Sequence, residues 1–384
     1  MRIGIDYTSA LRQRAGIGRY TRNLVRALVQ QDETNRYLLF AAGGKRGPDT
    51  ERWPAHVAVR HVPISDRWLH LLWQRIRIPL PVQLATGSLD LFHSPDFVLP
   101  PVGSTPTIVT VHDLSFVRVP ECFVAGFTDY LRRAVSRAVD RADLVLADSQ
   151  STRADLIELM GVNDAKITVL YPGVEARFGI VHDAECLRRV RAAYSLPEDF
   201  VLGLGTLQPR KNFTTLIEAF GRMLKDRPKE HGNLHLVIVG EKGWMCDGIY
   251  EAAGTAPVNG RVHLVGFVED ADLPAFYNLA SVFAFPSYYE GFGLPVLEAM
   301  ACGVPVVAAN NSALPEVVGE AGLLIGANDT DGLAHALQSL VSDHALRERL
   351  IAAGQKQAQR FSWERAGAQL LTAYGRGATH QAIG

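Results

Sequence analysis

The chain has 384 residues, 47% of them apolar and 21% charged, with a formal net charge of −1. At roughly 150 residues per domain this length predicts two or three domains with ample apolar material for their cores, and the near-neutral balance gives no global sign of nucleic-acid binding. Four dispersed cysteines (Cys122, Cys186, Cys246, Cys302) form no C-x-x-C, and no run approaches the ~20 apolar residues of a membrane span, which argues against a disulfide scaffold, a zinc cluster or an integral membrane protein and fits a reduced, cytosolic setting.

Short apolar runs alternate with helical patterns along the whole chain. The first predicted strand, residues 3–5, leads through a loop to Gly16-Ile17-Gly18-Arg19-Tyr20 and a helix at 20–30. That resembles the start of a dinucleotide fingerprint, but position 21 is Thr, and the second strand, 37–40, ends in Ala-Ala-Gly-Gly with no acid for a ribose. Backbone at Gly16 and Gly18 is expected to line a ligand site, a simple tight turn being the alternative. Residues 68–79 mix aromatic, aliphatic and basic side chains; they can rest on a membrane surface, although a core-packed helix is the commoner explanation. Further strands are predicted at 89–92, 107–111, 144–147 and 167–170, with a helix at 128–140. The second of these runs into His112, and the first is followed by His93-Ser94-Pro95.

Tyr171-Pro172-Gly173-Val174 closes this series with turn residues, a charged helix at about 184–194 follows, and the series restarts. Strands are predicted at 200–204, 234–239, 262–265, 282–285, 304–308 and 323–325, with helices at 213–224 and 331–341. The pattern is α/β, two doubly wound parallel sheets with helices on both faces. The domains are expected to span 1–180 and 181–363, with a C-terminal helix at about 364–384 packing back on the first. Ligands bind such sheets at the carboxyl ends of the strands, and a cleft between two domains is a favoured place.

The segment Glu290-Gly-Phe-Gly-Leu-Pro-Val-Leu-Glu298 carries the strongest chemical signal. It follows a buried strand, and Pro295 suits the first position of a helix, which puts Glu298 in the first turn and Glu290 in the loop. Gly291 and Gly293 allow close backbone approach, and a helix start suits a phosphate. The segment can hold an anion on its backbone and two sets of hydroxyls on its carboxylates, the combination found in a nucleotide sugar. Upstream, Gly203-Leu204-Gly205 leads to Arg210-Lys211 at the end of another strand. Two adjacent cations there can clamp a diphosphate and stabilise the charge that grows on it as the sugar bond breaks. His112 can orient a sugar hydroxyl or assist charge development, against the ordinary reading of a satisfied structural histidine; His93 is weaker still. Asp270-Ala271-Asp272 and Asp329-Thr330-Asp331 have D-x-D spacing, but both precede helices, so capping is expected and no metal.

Together, Gly16 to Tyr20, His112-Asp113, Gly205 to Lys211 and Glu290 to Glu298 resemble the retaining glycosyltransferase family 4 over essentially the whole chain. The resemblance implies the GT-B fold, two Rossmann-like domains facing a cleft with a final helix crossing back, and no metal or other cofactor. It implies that Arg210 and Lys211 contact the donor diphosphate, Glu298 the ribose and Glu290 the donor sugar. Backbone at Gly293 and Leu294 would meet phosphate or sugar, and Gly266-Phe267-Val268 would hold the base. Gly16 and Gly18 would form the opposite wall, with His112 near the anomeric centre. The Gly-Ile-Gly-Arg-Tyr form is closest to bacterial mannosyl- or rhamnosyl-type transferases of envelope polysaccharides. The expected partners are a nucleotide-diphosphate sugar, taken as GDP-mannose, and a saccharide or lipid-linked acceptor, with a peripheral contact at the inner face of the membrane and no nucleic acid. The alternatives are a nucleotide-sugar epimerase or hydrolase on the same fold, and a non-catalytic nucleotide-sugar-binding subunit. An NAD oxidoreductase is weakened by the incomplete glycine fingerprint.

Overall fold

A computed structural model describes residues 1–13, 16–43, 52–65, 68, 73, 80–226 and 233–379. Its contacts divide the chain into two compact units. The first comprises Met1–Leu114, Asp129–Gly173 and Ser362–Gly384; the second comprises Ser115–Thr128 and Val174–Phe361.

The first unit is built on seven parallel strands: β1 (Arg2–Asp6), β2 (Arg36–Ala42), β3 (Val57–Val62), β4 (Leu91–Ser94), β5 (Thr107–Val111), β6 (Leu144–Ala147) and β7 (Ile167–Val169). Their order is β3-β2-β1-β4-β5-β6-β7, with Ile3 opposite Tyr37 on one side and Leu91 on the other. Every residue of β4, β5 and β6 is buried, as expected for strands covered on both faces. The edge strand β3 has no counterpart in the sequence reading, because Arg60 and His61 are exposed and interrupt its apolar pattern. The strand expected at 89–92 runs instead from Leu91 to Ser94.

The C-terminal helix Trp363–Thr379 is part of this unit's core. Trp363, Ala366, Leu370, Ala373 and Tyr374 are buried in one cluster with Ile3, Ile5, Leu24 and Leu28. It packs on the helix Ile17–Gln31 so closely that a Cβ at Gly367 would lie 3.0 Å from the Ala27 carbonyl, and Gln31 Nε2 donates to Glu364 O at 2.9 Å. Most of 68–79 lies outside the described residues. Of the two described, Trp68 is exposed, while Trp73 packs on Phe40 and donates its indole N–H to Leu80 O at 3.1 Å. Among the described residues no helix is long and apolar enough to cross a membrane.

The second unit holds six parallel strands: β8 (Asp199–Leu204), β9 (Leu234–Val239), β10 (Val262–Gly266), β11 (Val282–Phe285), β12 (Val306–Ala309) and β13 (Leu323–Ile325). Their order is β10-β9-β8-β11-β12-β13. The chain winds outward from β8 to β10, then returns to place β11 on the other side of β8. The switch point of this sheet is therefore the gap between the carboxyl ends of β8 and β11, where open α/β sheets bind ligands. The corresponding gap in the first sheet lies between β1 and β4.

Candidate functional site

At the switch point of the second sheet, two loops are stitched together. After β8 the chain passes Gly205 (φ +149°), where a Cβ would lie 3.1 Å from the Lys211 side chain. A short 3-10 turn, Pro209–Lys211, ends at Asn212 in the left-handed region (φ +56°). From there Asn212 Nδ2 donates to Pro286 O at 3.0 Å and to Ala327 O at 2.8 Å, and Tyr288 N donates to Arg210 O at 2.9 Å. These bonds tie the β8 loop to the loop after β11 and, through Ala327, to the segment after β13.

The stitching brings three of the sequence-predicted residues together. Arg210 Nη1 lies 3.0 Å from Glu290 Oε2 and donates to Tyr289 O at 2.6 Å. Lys211 Nζ lies 2.7 Å from Glu290 Oε1 and 4.9 Å from the centroid of the Phe285 ring. The Glu290 amide donates to Ser312 Oγ at 3.0 Å, which fixes the carboxylate's backbone from the far side. Glu290 is buried, and burial alone would raise its pKa, but the Arg210 and Lys211 charges outweigh it and hold the group at about 2. Two cations share one carboxylate, so the cluster carries a net positive charge at a point where the fold favours ligands.

Gly293 caps the next helix with φ +112°, and a Cβ there would lie 2.8 Å from Leu314 Cδ2, so only glycine suits the position. The helix begins at Leu294, with Pro295 second. This corrects the expectation for Glu298, which falls in the second turn rather than the first. It is 1% exposed, and its Oε2 accepts from the Tyr277 hydroxyl at 2.9 Å. Four residues on, burial and then the Glu298 charge push the Cys302 thiol up to about 12. Phe267 and Val268 follow β10 two strands from β8; Phe267 is exposed and Val268 buried. Gly240 N donates to Gly266 O at 2.9 Å, which ties that turn to the end of β9.

In the first unit, Gly16 (φ +58°) caps the helix Ile17–Gln31. A Cβ at Gly18 would lie 2.1 Å from the Gln13 carbonyl, so packing inside the unit already requires glycine there. His112 follows β5. Its Nδ1 is 2.7 Å from Asp148 Oδ2, its Nε2 is 2.9 Å from Pro95 O, and the Tyr20 ring meets it in a T-shaped contact at a centroid distance of 4.7 Å. Burial would lower the pKa of the ring, but Asp148, Asp96 and the Pro95 carbonyl carry it up to about 9. Burial pushes Asp148 upward as well, so ring and carboxyl compete for one proton. The imidazole is the stronger base and keeps it. His93 is a satisfied core residue: Nδ1 meets Tyr374 OH at 2.8 Å and Nε2 meets Thr110 Oγ1 at 3.0 Å, and burial followed by the His112 charge lowers it to about 3.

Asp148, Tyr277, Asn212 and Ser312 were missed in the sequence. Asp148 had a usable signal, since like His112 it directly follows a buried strand. Of the two D-x-D segments, Asp329 caps its helix by accepting from Gly332 N at 2.8 Å, and Asp331 pairs with Arg222. Asp272 stands at a helix start without a side-chain cap, contrary to expectation. Its carboxylate instead takes Arg189 at 2.7 Å and the Tyr194 hydroxyl at 3.0 Å. Among the described residues no group of three His, Cys, Asp or Glu side chains is placed to hold a metal ion. All four cysteines are free.

Residues 190–357 match the family model described as glycosyl transferases group 1, and residues 14–178 match that of glycosyltransferase family 4. The O-antigen chain mannosyltransferase B of Escherichia coli is 33% identical over 368 residues, 94% of this chain and 95% of that one. Among solved structures, sucrose-phosphate synthase from Thermosynechococcus elongatus matches with a TM-score of 0.77 at 23% identity over 98% of both chains. Anabaena HepE in complex with UDP and glucose matches with a TM-score of 0.75 at 21% identity, over 98% of this chain and 100% of that one. The fold is GT-B, and the chain belongs to the group 1/family 4 glycosyltransferases.

Proposed function

We propose that the protein is a retaining, metal-independent hexosyltransferase. It moves mannose from GDP-mannose to a saccharide or lipid-linked acceptor in the synthesis of an envelope polysaccharide. The observation that carries this reading is the Arg210–Glu290–Lys211 cluster, a net positive group at the switch point of a doubly wound sheet. A diphosphate gains negative charge as its bond to the sugar breaks, and cations already fixed in place stabilise that change without reorganising. Glu290, held at about 2, is a poor proton acceptor and suits sugar hydroxyls as a hydrogen-bond acceptor. Glu298, oriented by Tyr277, is the expected partner of the ribose. In the retaining mechanism the acceptor hydroxyl attacks from the face the diphosphate leaves, and a leaving phosphate oxygen takes its proton, so no protein base is needed.

The choice of mannose and of a polysaccharide product rests on the Escherichia coli mannosyltransferase, which matches nearly the whole chain. A cytoplasmic enzyme touching the inner face of the membrane goes with a lipid-linked acceptor, and the exposed side chains of Trp68 and Leu84 suit that contact. A thermal-shift screen with GDP-, UDP-, ADP- and dTDP-sugars tests the reading. At 100 times its Kd a ligand that binds only the native form adds about 2.7 kcal/mol. GDP-mannose is expected to give the largest shift, and no response to any nucleotide sugar would overturn the proposal.

A further inference from the structure

We propose that Asp148 is a positioning residue for the transfer reaction: it holds the His112 ring doubly protonated, so that the ring meets the reaction as a fixed positive charge and takes up no proton. This rests on the transferase reading above, and on geometry confined to the first unit.

The Pro95 carbonyl can only accept, so Nε2, at 2.9 Å, carries a hydrogen. Nδ1 faces a carboxylate oxygen at 2.7 Å, and the one proton between them belongs to the stronger base, the imidazole. A hydrogen on each nitrogen is the imidazolium. The groups acting on the ring come from every neighbouring element. Asp148 follows β6 and Asp96 follows β4, and both favour the cation. Asp113, next in sequence, acts on Asp148 in the sense that opposes its ionisation. His93, in β4, is neutral, and the Tyr20 hydroxyl, in the helix Ile17–Gln31, is held protonated by burial and then by the Asp148 charge. The ring's two contacts also bind the ends of β4, β5 and β6 to one another. At 15% side-chain exposure the charged ring still borders solvent at the carboxyl edge of the sheet. A ring that already carries both hydrogens cannot serve as a general base near neutral pH. What it offers is charge, which stabilises an anion developing nearby and needs no proton transfer.

The test begins with the unaltered protein. In histidine-labelled full-length chain, NMR titration of His112, identified by loss of its signal in His112→Gln, is expected to show a ring protonated at pH 7 with a midpoint near 9. A ring neutral at pH 7 overturns the proposal, whatever the variants do. In Asp148→Asn the midpoint is expected to fall toward the ordinary histidine value of about 6.5. GDP release from GDP-mannose by that variant should then drop roughly tenfold or more at pH 8, recover at pH 6, and leave the KM for GDP-mannose within about threefold. Asp148→Glu should restore part of the rate at pH 8. An equal loss at pH 6 and pH 8 in a folded variant marks a merely structural role and also overturns the proposal. Should the unaltered protein release no GDP at any pH, the transferase reading fails, while the ring titration still judges Asp148.

Discussion

Replacing Arg210 and Lys211 together by alanine is expected to lower nucleotide-sugar turnover by about 10³-fold or more, the scale at which fixed electrostatic partners act in active sites. Both side chains lie within 3.0 Å of the Glu290 carboxylate, at the switch point of the sheet. Removing them turns a net positive cluster into a lone buried acid. Two consequences follow, and they can be separated. The leaving diphosphate loses its counter-charge, which lowers the rate and abolishes the nucleotide-induced thermal shift. Glu290 loses its partners, which costs stability on the scale of about 3–5 kcal/mol for a broken buried pair unless the acid takes up a proton. A triple variant that adds Glu290→Gln removes the stranded charge. It is expected to regain most of the stability and none of the turnover. Rates and denaturation midpoints measured on the three proteins distinguish the effects. A folded double variant that turns over at the unaltered rate removes the diphosphate role from both residues.

How much of this was legible in the sequence depends on what each feature contacts. Strands β5, β6, β9 and β11 coincide with the predicted apolar runs, because inner strands of a parallel sheet are covered on both faces and read as nearly unbroken stretches; the half-buried edge strand β13 coincides too, through its own apolar run Leu323-Leu324-Ile325. The edge strand β3 was not legible, since its exposed Arg60 and His61 read as loop. Arg210, Lys211 and Glu290 were each recognisable at a strand end. Their ion pairing was not, because it joins Glu290 to residues 79 and 80 positions away through the register of two loops. The sequence puts Glu298 one turn too early; its burial follows from the helix starting at Leu294 and from Tyr277, which belongs to another element. Gly18 read as the wall of a ligand site, but the carbonyls of Ser9 and Gln13 already require it. Asp148, like His112, stands at the end of a buried strand, but their pairing across 36 positions depends on the order of β5 and β6 in the sheet.

Glu290→Gln should behave differently from the alanine pair, and the difference is diagnostic. The folded pKa of Glu290, about 2, lies below the ordinary value of 4.5. The sign follows directly: its contribution to stability is complete above pH 4.5 and is lost as the pH falls toward 2. Integrated, the shift corresponds to about 3 kcal/mol. The variant lacks this contribution, so its stability deficit is expected to be largest at neutral pH and to vanish toward pH 2, as read from urea denaturation at several pH values. Glutamine also leaves Arg210 and Lys211 without their carboxylate, so a diphosphate no longer has to share them. GDP is therefore expected to stabilise the variant more than the unaltered protein at pH 7. The sugar should act in the opposite sense. If Glu290 holds sugar hydroxyls, the stabilisation that GDP-mannose gives beyond GDP should shrink, and kcat should fall by about 10²-fold as the donor sugar loses its orientation. A variant that gains with GDP and loses the added effect of mannose assigns the cations to the diphosphate and Glu290 to the sugar. If GDP stabilisation is lost along with the carboxylate, the acid is needed for nucleotide binding itself, and the division of roles between Glu290 and its two cations is wrong.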